Sequence, residues 1–141
     1  MIKISNSELI KKAKTVLRPR HLTSENMAGS VACALLSSSG AIYLGVCIDV
    51  SSGMGFCAEH SAIAAMITAG ESSISKIVAV WEDGTVLPPC GRCREFMYQV
   101  DKTNLTTTEV ILGVNYVVKL KELLPHPYDE VWNTKPNRDD S

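Results

Sequence analysis

Apolar residues at Leu9, Ile10, Ala13, Val16 and Leu17 recur at helical spacing with lysines opposite, which predicts an amphipathic helix over 7–17. Ser5 or Ser7 caps it and Pro19 ends it. Residues 20–29 carry no periodicity and read as a loop. Two β-favouring apolar runs, 30–36 and 42–48, flank Ser37-Ser38-Ser39-Gly40 and predict a hairpin. The Gly- and Ser-rich stretch 51–55 is a flexible connection. After it, 57–69 is rich in alanine and isoleucine and reads as a helix apolar around most of its circumference, ended by Gly70. The almost wholly apolar run 77–81 predicts a strand covered on both faces. A loop over 82–89, a helix over 90–100, strands at 110–112 and 116–118 and a short helix over 119–124 complete the pattern. Strands alternating with helices predict a layered α/β fold.

The chain has 141 residues, 45% hydrophobic and 21% charged, which is the make-up of a globular protein with an ordinary core. No internal repeat or linker divides it, so 1–132 reads as one domain and 133–141 as a polar tail, disordered in isolation. A net charge of -1 offers no electrostatic footprint for nucleic acid or an anionic membrane. Lys11, Lys12, Lys14, Arg18 and Arg20 read as a solvated helix face and the loop after it. No apolar run approaches the roughly 20 residues of a membrane span, and 1–5 lacks a signal peptide's apolar stretch. A cytoplasmic location follows as the expectation. Five cysteines, an odd number with two in a C-x-x-C, fit metal binding better than a disulfide framework. Cys33 and Cys47 stand apart in apolar segments and read as small core residues.

Candidate chemistry lies in Cys57-Ala58-Glu59-His60 and Pro89-Cys90-Gly91-Arg92-Cys93-Arg94. Cys90 and Cys93 fall on one helical turn, so their sulfurs can converge on an ion, with Cys57 as a third ligand. Three protein ligands leave one position open, the mark of a catalytic zinc rather than a structural one. Glu59, two residues from a ligand, stands where a proton carrier is needed. Both clusters fall where a helix begins, and helix N-termini favour thiolates. His60, Arg92 and Arg94 are candidates to donate hydrogen bonds to the sulfurs. The same pattern also allows a structural zinc closed by His60, His21 or His126, or a redox dithiol.

The two clusters resemble the C-A-E-R and P-C-G-x-C-R motifs of the cytidine deaminase family; a ligand-x-Glu followed by Pro-Cys-x-x-Cys is a zinc-deaminase signature. Within that family the chain is similar to blasticidin S deaminases of the fungal type. Ser30-Val31-Ala32, Leu36-Ser37-Ser38 and Gly45-Val46 carry the likeness before the first motif, and Ile77-Val78-Ala79 in the middle. Glu122-Leu123-Leu124-Pro125, Tyr128 and Trp132 carry it at the end, so that it covers roughly residues 7–132.

The resemblance implies a three-layer α/β/α domain with a mixed five-stranded sheet, assembled as a homotetramer with active sites at subunit interfaces. It implies Zn2+ on Cys57, Cys90 and Cys93, Glu59 as general acid and base, and hydrolytic deamination of a cytosine moiety in a small molecule, with release of ammonia. Blasticidin S or a cytidine-like nucleoside is the expected substrate. Ser30, Asp49, Ala58, Tyr128 and Trp132 are the expected substrate contacts. A non-catalytic member with a closed zinc site and a nucleic-acid deaminase are the alternatives.

Three departures stand out. His60 replaces the family's arginine after Cys-Ala-Glu. The ribose-binding Asn-x-Glu motif is missing from 46–50, where Asp49 is the nearest substitute. The loop before the second motif reads Glu82-Asp83-Gly84-Thr85, and its acidity disfavours an anionic substrate.

Overall fold

In the computed structural model, which describes residues 3–134, side-chain alternation along one long strand divides the core. The elements in chain order are α1 (Asn6–Lys14), β1 (Arg20–His21), β2 (Met27–Ser37), β3 (Ile42–Asp49), α2 (Ala58–Thr68), β4 (Ile74–Trp81) and β5 (Val86–Leu87). They continue with α3 (Gly91–Val100), α4 (Asn104–Thr107), β6 (Glu109–Gly113), β7 (Tyr116–Lys119), α5 (Leu120–Leu123) and α6 (Glu130–Thr134). On β2, Ala32, Ala34 and Leu36 point to one face, where Val78, Val80 and Ile111 join them against Leu9, Ile10 and Ala13 of α1. Cys33 and Leu35 point the other way, into a second cluster with Ala62, Ile63 and Met66 of α2 and Cys93 and Met97 of α3. Helices therefore cover both faces of the sheet, as the predicted three-layer fold requires.

The five longer strands run in the order β3-β2-β4-β6-β7. β4 and β6 are parallel and the other neighbours antiparallel, a mixed sheet. β1 and β5 add two-residue pairings to β2 and β4. These short pairings occupy parts of 20–29 and 82–89 that the sequence pattern read as loops; two residues are too few to show a period.

Local chemistry fixes the helix ends. The Ser5 hydroxyl accepts the Glu8 amide at 3.1 Å and caps α1. Helix α2 stops at Gly70, whose φ of +91° permits the Glu71 amide to reach Met66 O at 3.1 Å and the Gly70 amide to reach Ile67 O at 2.9 Å. Gly45 sets the distance between α2 and the sheet. A Cβ there would stand 2.3 Å from the Ala62 nitrogen and 2.8 Å from the Ala58 oxygen, so only glycine admits the helix this close to β3. Ser61 Oγ then donates to Val46 O at 2.7 Å and ties the helix to the strand.

Asn104, wholly buried on α4, is a polar rivet that hydrophobic periodicity does not reveal. Its Nδ2 donates to Ser72 O and Met97 O at 3.1 and 2.9 Å, and its Oδ1 accepts the Ile74 amide at 2.9 Å. Beyond the last strand, Tyr98 Oη of α3 and Lys102 Nζ just after it both donate to the buried Asp129 at 2.7 Å and hold that segment against the helix. The predicted tail disorder, over 133–141, lies for 135–141 outside the described residues. Among the described residues no helix is long and apolar enough to cross a membrane.

Candidate metal centre and active-site cavity

Cys57 and Cys90 occupy the N-cap positions of α2 and α3, in extended backbone with φ of -72° and -69°. Cys93 lies one turn into α3. Because the two helices pack on the same face of the sheet, their N-termini meet and the three sulfurs converge. Cys57 Sγ and Cys93 Sγ each lie 3.5 Å from Cys90 Sγ, and all three lie within 4.8 Å of one another. A tetrahedral zinc with Zn–S bonds of about 2.3 Å sets its sulfurs about 3.8 Å apart, so the trio fits Zn2+ in donor type and spacing.

Burial, foremost, pushes the Cys93 thiol far above the usual thiol range, and the Glu59 carboxylate and neighbouring thiols add to it. Burial likewise raises Cys57. At Cys90 burial also opposes ionisation, but the backbone amides of Cys93 and Arg92 and the Cys57 thiol outweigh it and draw the thiol down. A cation between the sulfurs supplies the countercharge that the trio otherwise lacks.

His60 does not complete a four-ligand site. Its Nδ1 lies 3.5 Å from Cys93 Sγ, and the group of mutually close ligand atoms contains the three cysteines alone among the described residues. The imidazole stacks on Phe96 at 4.3 Å between centroids, 8° from parallel. Burial, and then the charge of Arg92, lower its pKa. Arg94 is engaged elsewhere: Nε donates to Pro89 O at 2.9 Å and Nη1 to Leu123 O at 3.2 Å, bracing the loop before α3. Arg92 reaches Gly55 O at 3.4 Å.

A cavity of about 500 Å3 opens over the trio, the size of a small-molecule site. Cys57, Cys90 and Glu59 lie in its wall, with Val31, Phe56, Leu87 and Pro88 as apolar lining. Glu59 is 5% exposed, and burial, foremost, raises its carboxyl above the ordinary range, partly offset by its own backbone amide and Cys93. Of the expected substrate contacts, Ser30, Asp49 and Ala58 line this cavity. Tyr128 and Trp132 are not in its lining; they form an edge-on pair 5.1 Å apart, both about half exposed, and the Tyr128 amide donates to Glu95 Oε1 at 2.7 Å.

Two readings change. Cys47, expected as a plain core residue, is buried yet lines the cavity. The available signal was its period-two spacing from Asp49, which puts both side chains on one face of β3. The acidic 82–85 loop, expected to face the substrate, forms the turn between β4 and β5, closed by Trp81 N to Thr85 O at 2.8 Å. A Cβ on Gly84 would lie 3.5 Å from Lys14 Nζ, so the turn rests against α1, and neither Glu82 nor Asp83 lines the cavity.

Residues 4–109 match the cytidine and deoxycytidylate deaminase zinc-binding region. The chain belongs to that family. It is 39% identical over 84 residues to the cytidine deaminase of Mycoplasma pneumoniae, covering 56% of this chain and 62% of that protein. It is 32% identical over 71 residues to that of Mycobacterium tuberculosis, covering 50% of this chain and 53% of the relative. In sequence, then, the match spans between half and two thirds of these relatives' length. In three dimensions the similarity is wider. The crystal structure of the M. tuberculosis cytidine deaminase superposes with a TM-score of 0.74 at 25% identity, covering 89% of this chain and 98% of that one. The Mycobacterium leprae cytidine deaminase gives 0.72 at 25% identity, covering 88% and 100%. The family's zinc-binding region and the convergent trio agree on Zn2+ as the cofactor held by Cys57, Cys90 and Cys93.

Proposed function

We propose that this protein is a hydrolytic deaminase acting on the cytosine moiety of a small molecule and releasing ammonia. One observation carries the reading: two of three convergent thiols, Cys57 and Cys90, and the buried Glu59 carboxylate share the wall of a single cavity of small-molecule size. Zn2+ on Cys57, Cys90 and Cys93 supplies Lewis acidity and a nucleophile at neutral pH. Glu59 takes the proton of the attacking water, delivers it to the ring nitrogen beside the amidine carbon, and protonates the departing amine. Its burial strengthens its hold on a proton in transit between these atoms. His60, stacked on Phe96, steadies the Cys93 sulfur.

Ser30 and Asp49 receive the appendage carried by the base, and Ala58 packs at the start of α2. The mostly apolar wall suits the face of a pyrimidine ring. Cytidine-like nucleosides are supported by the relatives' activity; blasticidin S rests on the sequence resemblance. Assembly as a homotetramer, with Tyr128 and Trp132 covering a pocket, belongs to the same reading and is tested by analytical ultracentrifugation of wild type and the double alanine variant. No charge pattern favours a nucleic-acid substrate.

The test is ultraviolet-monitored deamination by the zinc-loaded protein with cytidine, deoxycytidine and blasticidin S side by side. Turnover of any one supports the reaction and names the substrate. Glu59→Ala should keep zinc and fold while turnover falls by about 100-fold or more. Substantial activity in that variant would remove Glu59 from its role.

A further inference from the structure

On the α1 face of the sheet, away from the metal centre, another cavity of about 480 Å3 opens over β3. It shares no lining residue with the active-site cavity. Leu44 and Val46 form an apolar floor and pack in the cluster on the α1 side, whereas Cys57 and Cys93 pack in the cluster under α2 and α3. Two guanidinium groups, those of Arg18 and Arg20, line the cavity. Pro19 between them favours extended backbone at Arg18, and side chains two apart on an extended chain leave on the same side. The backbone that carries them is fixed to β2: the Arg18 amide donates to Gly29 O at 3.1 Å, and Arg20 pairs with Ala28. Arg20 Nη1 also donates to Arg18 O at 3.1 Å, which sets that guanidinium and leaves most of its N–H groups for another partner.

Nothing in this cavity balances the two charges. No carboxylate lines it, and among the described residues neither arginine takes part in an ion pair. The end of α1 borders it at Thr15, but the carbonyls there are spent. Those of Lys12, Ala13 and Lys14 accept the amides of Thr15, Val16 and Leu17, and Lys12 O accepts the Thr15 hydroxyl as well. Lys11, Lys12 and Lys14 in the last turn of that helix add positive charge. Two arginines on a pinned backbone, over an apolar floor and with no acid beside them, fit an anion that carries an apolar body. We propose that this cavity binds a phosphate-bearing small molecule, its phosphate between the guanidinium groups of Arg18 and Arg20 and its apolar portion against Leu44 and Val46. Planar guanidinium forks match phosphate oxygens in pairs, and two of them balance a dianion, which a single carboxylate is not. The cavity lies across the sheet from the sulfur trio, so its ligand is a separate molecule from the substrate.

The test titrates the zinc-loaded protein with inorganic phosphate, phenyl phosphate and benzoate, which separate the contribution of the dianion from that of the ring. Binding is followed by calorimetry and, for the phosphates, by phosphorus NMR. Phenyl phosphate should bind ahead of phosphate, and benzoate should bind last. Arg18→Gln and Arg20→Gln should each weaken phenyl phosphate by roughly tenfold, the worth of a charge-assisted hydrogen bond, with zinc content and melting temperature reporting an intact fold. Arg18→Lys, which keeps the charge and loses the fork, should recover only part of the affinity. Arg18 is exposed, so its variants carry the test even if Arg20→Gln unfolds. Arg92→Gln is the control, because Arg92 lines the active-site cavity, and it should bind phenyl phosphate as wild type does. Wild-type affinity in Arg18→Gln, or its loss in Arg92→Gln, would put the anion elsewhere and overturn the inference. Equal affinity for benzoate and phenyl phosphate would reduce the cavity to a positive surface and overturn it too. So would absence of binding at about 10 mM phenyl phosphate, tenfold above a millimolar dissociation constant.

Discussion

Gly45→Ala is a one-methyl change twelve residues from Cys57, the nearest of the three ligand cysteines, and it should damage the metal centre. The added Cβ would sit 2.3 Å from the Ala62 nitrogen, 2.6 Å from Ser61 Cβ and 2.8 Å from the Ala58 oxygen. Two of these atoms belong to the backbone of α2, so no rotamer change relieves them, and α2 must retreat from β3 by about 1 Å to restore ordinary contact. Overpacking of this kind costs about 1–3 kcal/mol. The retreat also carries Cys57 away from Cys90 and Cys93, which are fixed on α3. Metal–sulfur distances tolerate about 0.2 Å, so a displacement of this size should weaken zinc binding by at least about tenfold. Urea denaturation of the zinc-loaded protein measures the first effect and competition with a chromogenic chelator the second. Gly91→Ala supplies the contrast: a Cβ there meets nothing within 4 Å. If Gly45→Ala matches wild type in both assays, the close approach of α2 to β3 is not what sets the geometry of the centre.

Three further outcomes are expected. Asn104→Leu strands the Ile74 amide and the Ser72 and Met97 carbonyls in the core and should cost about 3 kcal/mol in urea denaturation. Asp129→Asn should be destabilising in a pH-dependent way. The Lys102 hydrogen bond, foremost, holds the Asp129 carboxyl below its ordinary range in the folded state, so its contribution is complete above about pH 4 and fades as pH falls through the folded value. The melting temperatures of wild type and variant should therefore converge on acidification, and a constant gap would refute the assignment. Removing zinc by dialysis against chelator should lower the melting temperature, with recovery on adding Zn2+ back; wild-type protein that melts identically with and without the ion would deny the trio a structural share in the fold.

Much of the fold was legible because period and punctuation agree in this chain. The stripe on α1, the Ser-Gly turn between β2 and β3, and Gly70 after α2 each state an element and its end locally. Cys57, Cys90 and Cys93 were legible as a metal-binding trio because metal chemistry restricts both residue type and spacing. The pieces that escaped are those with no local signature. Two-residue β1 and β5 exist only because a long strand offers them a free edge, and α4 is held by the three hydrogen bonds of Asn104, two of them to Ser72 and Ile74 about thirty residues back. The acidic turn at 82–85 was placed by charge alone, and charge does not say which face of a sheet a turn will meet.

The sequence by itself determined the ligand set and the elements that carry it, since a thiol at each helix start and a glutamate beside one of them are properties of neighbouring residues. Only the tertiary structure decided that the two helix starts meet, that His60 touches a single sulfur, that Arg94 braces a loop, and that Cys47 joins Ser30 and Asp49 on the cavity wall. Those outcomes depend on the separation of α2 from β3 and on strand order. Both arise from packing between residues far apart in the chain, where no short-range pattern can record them.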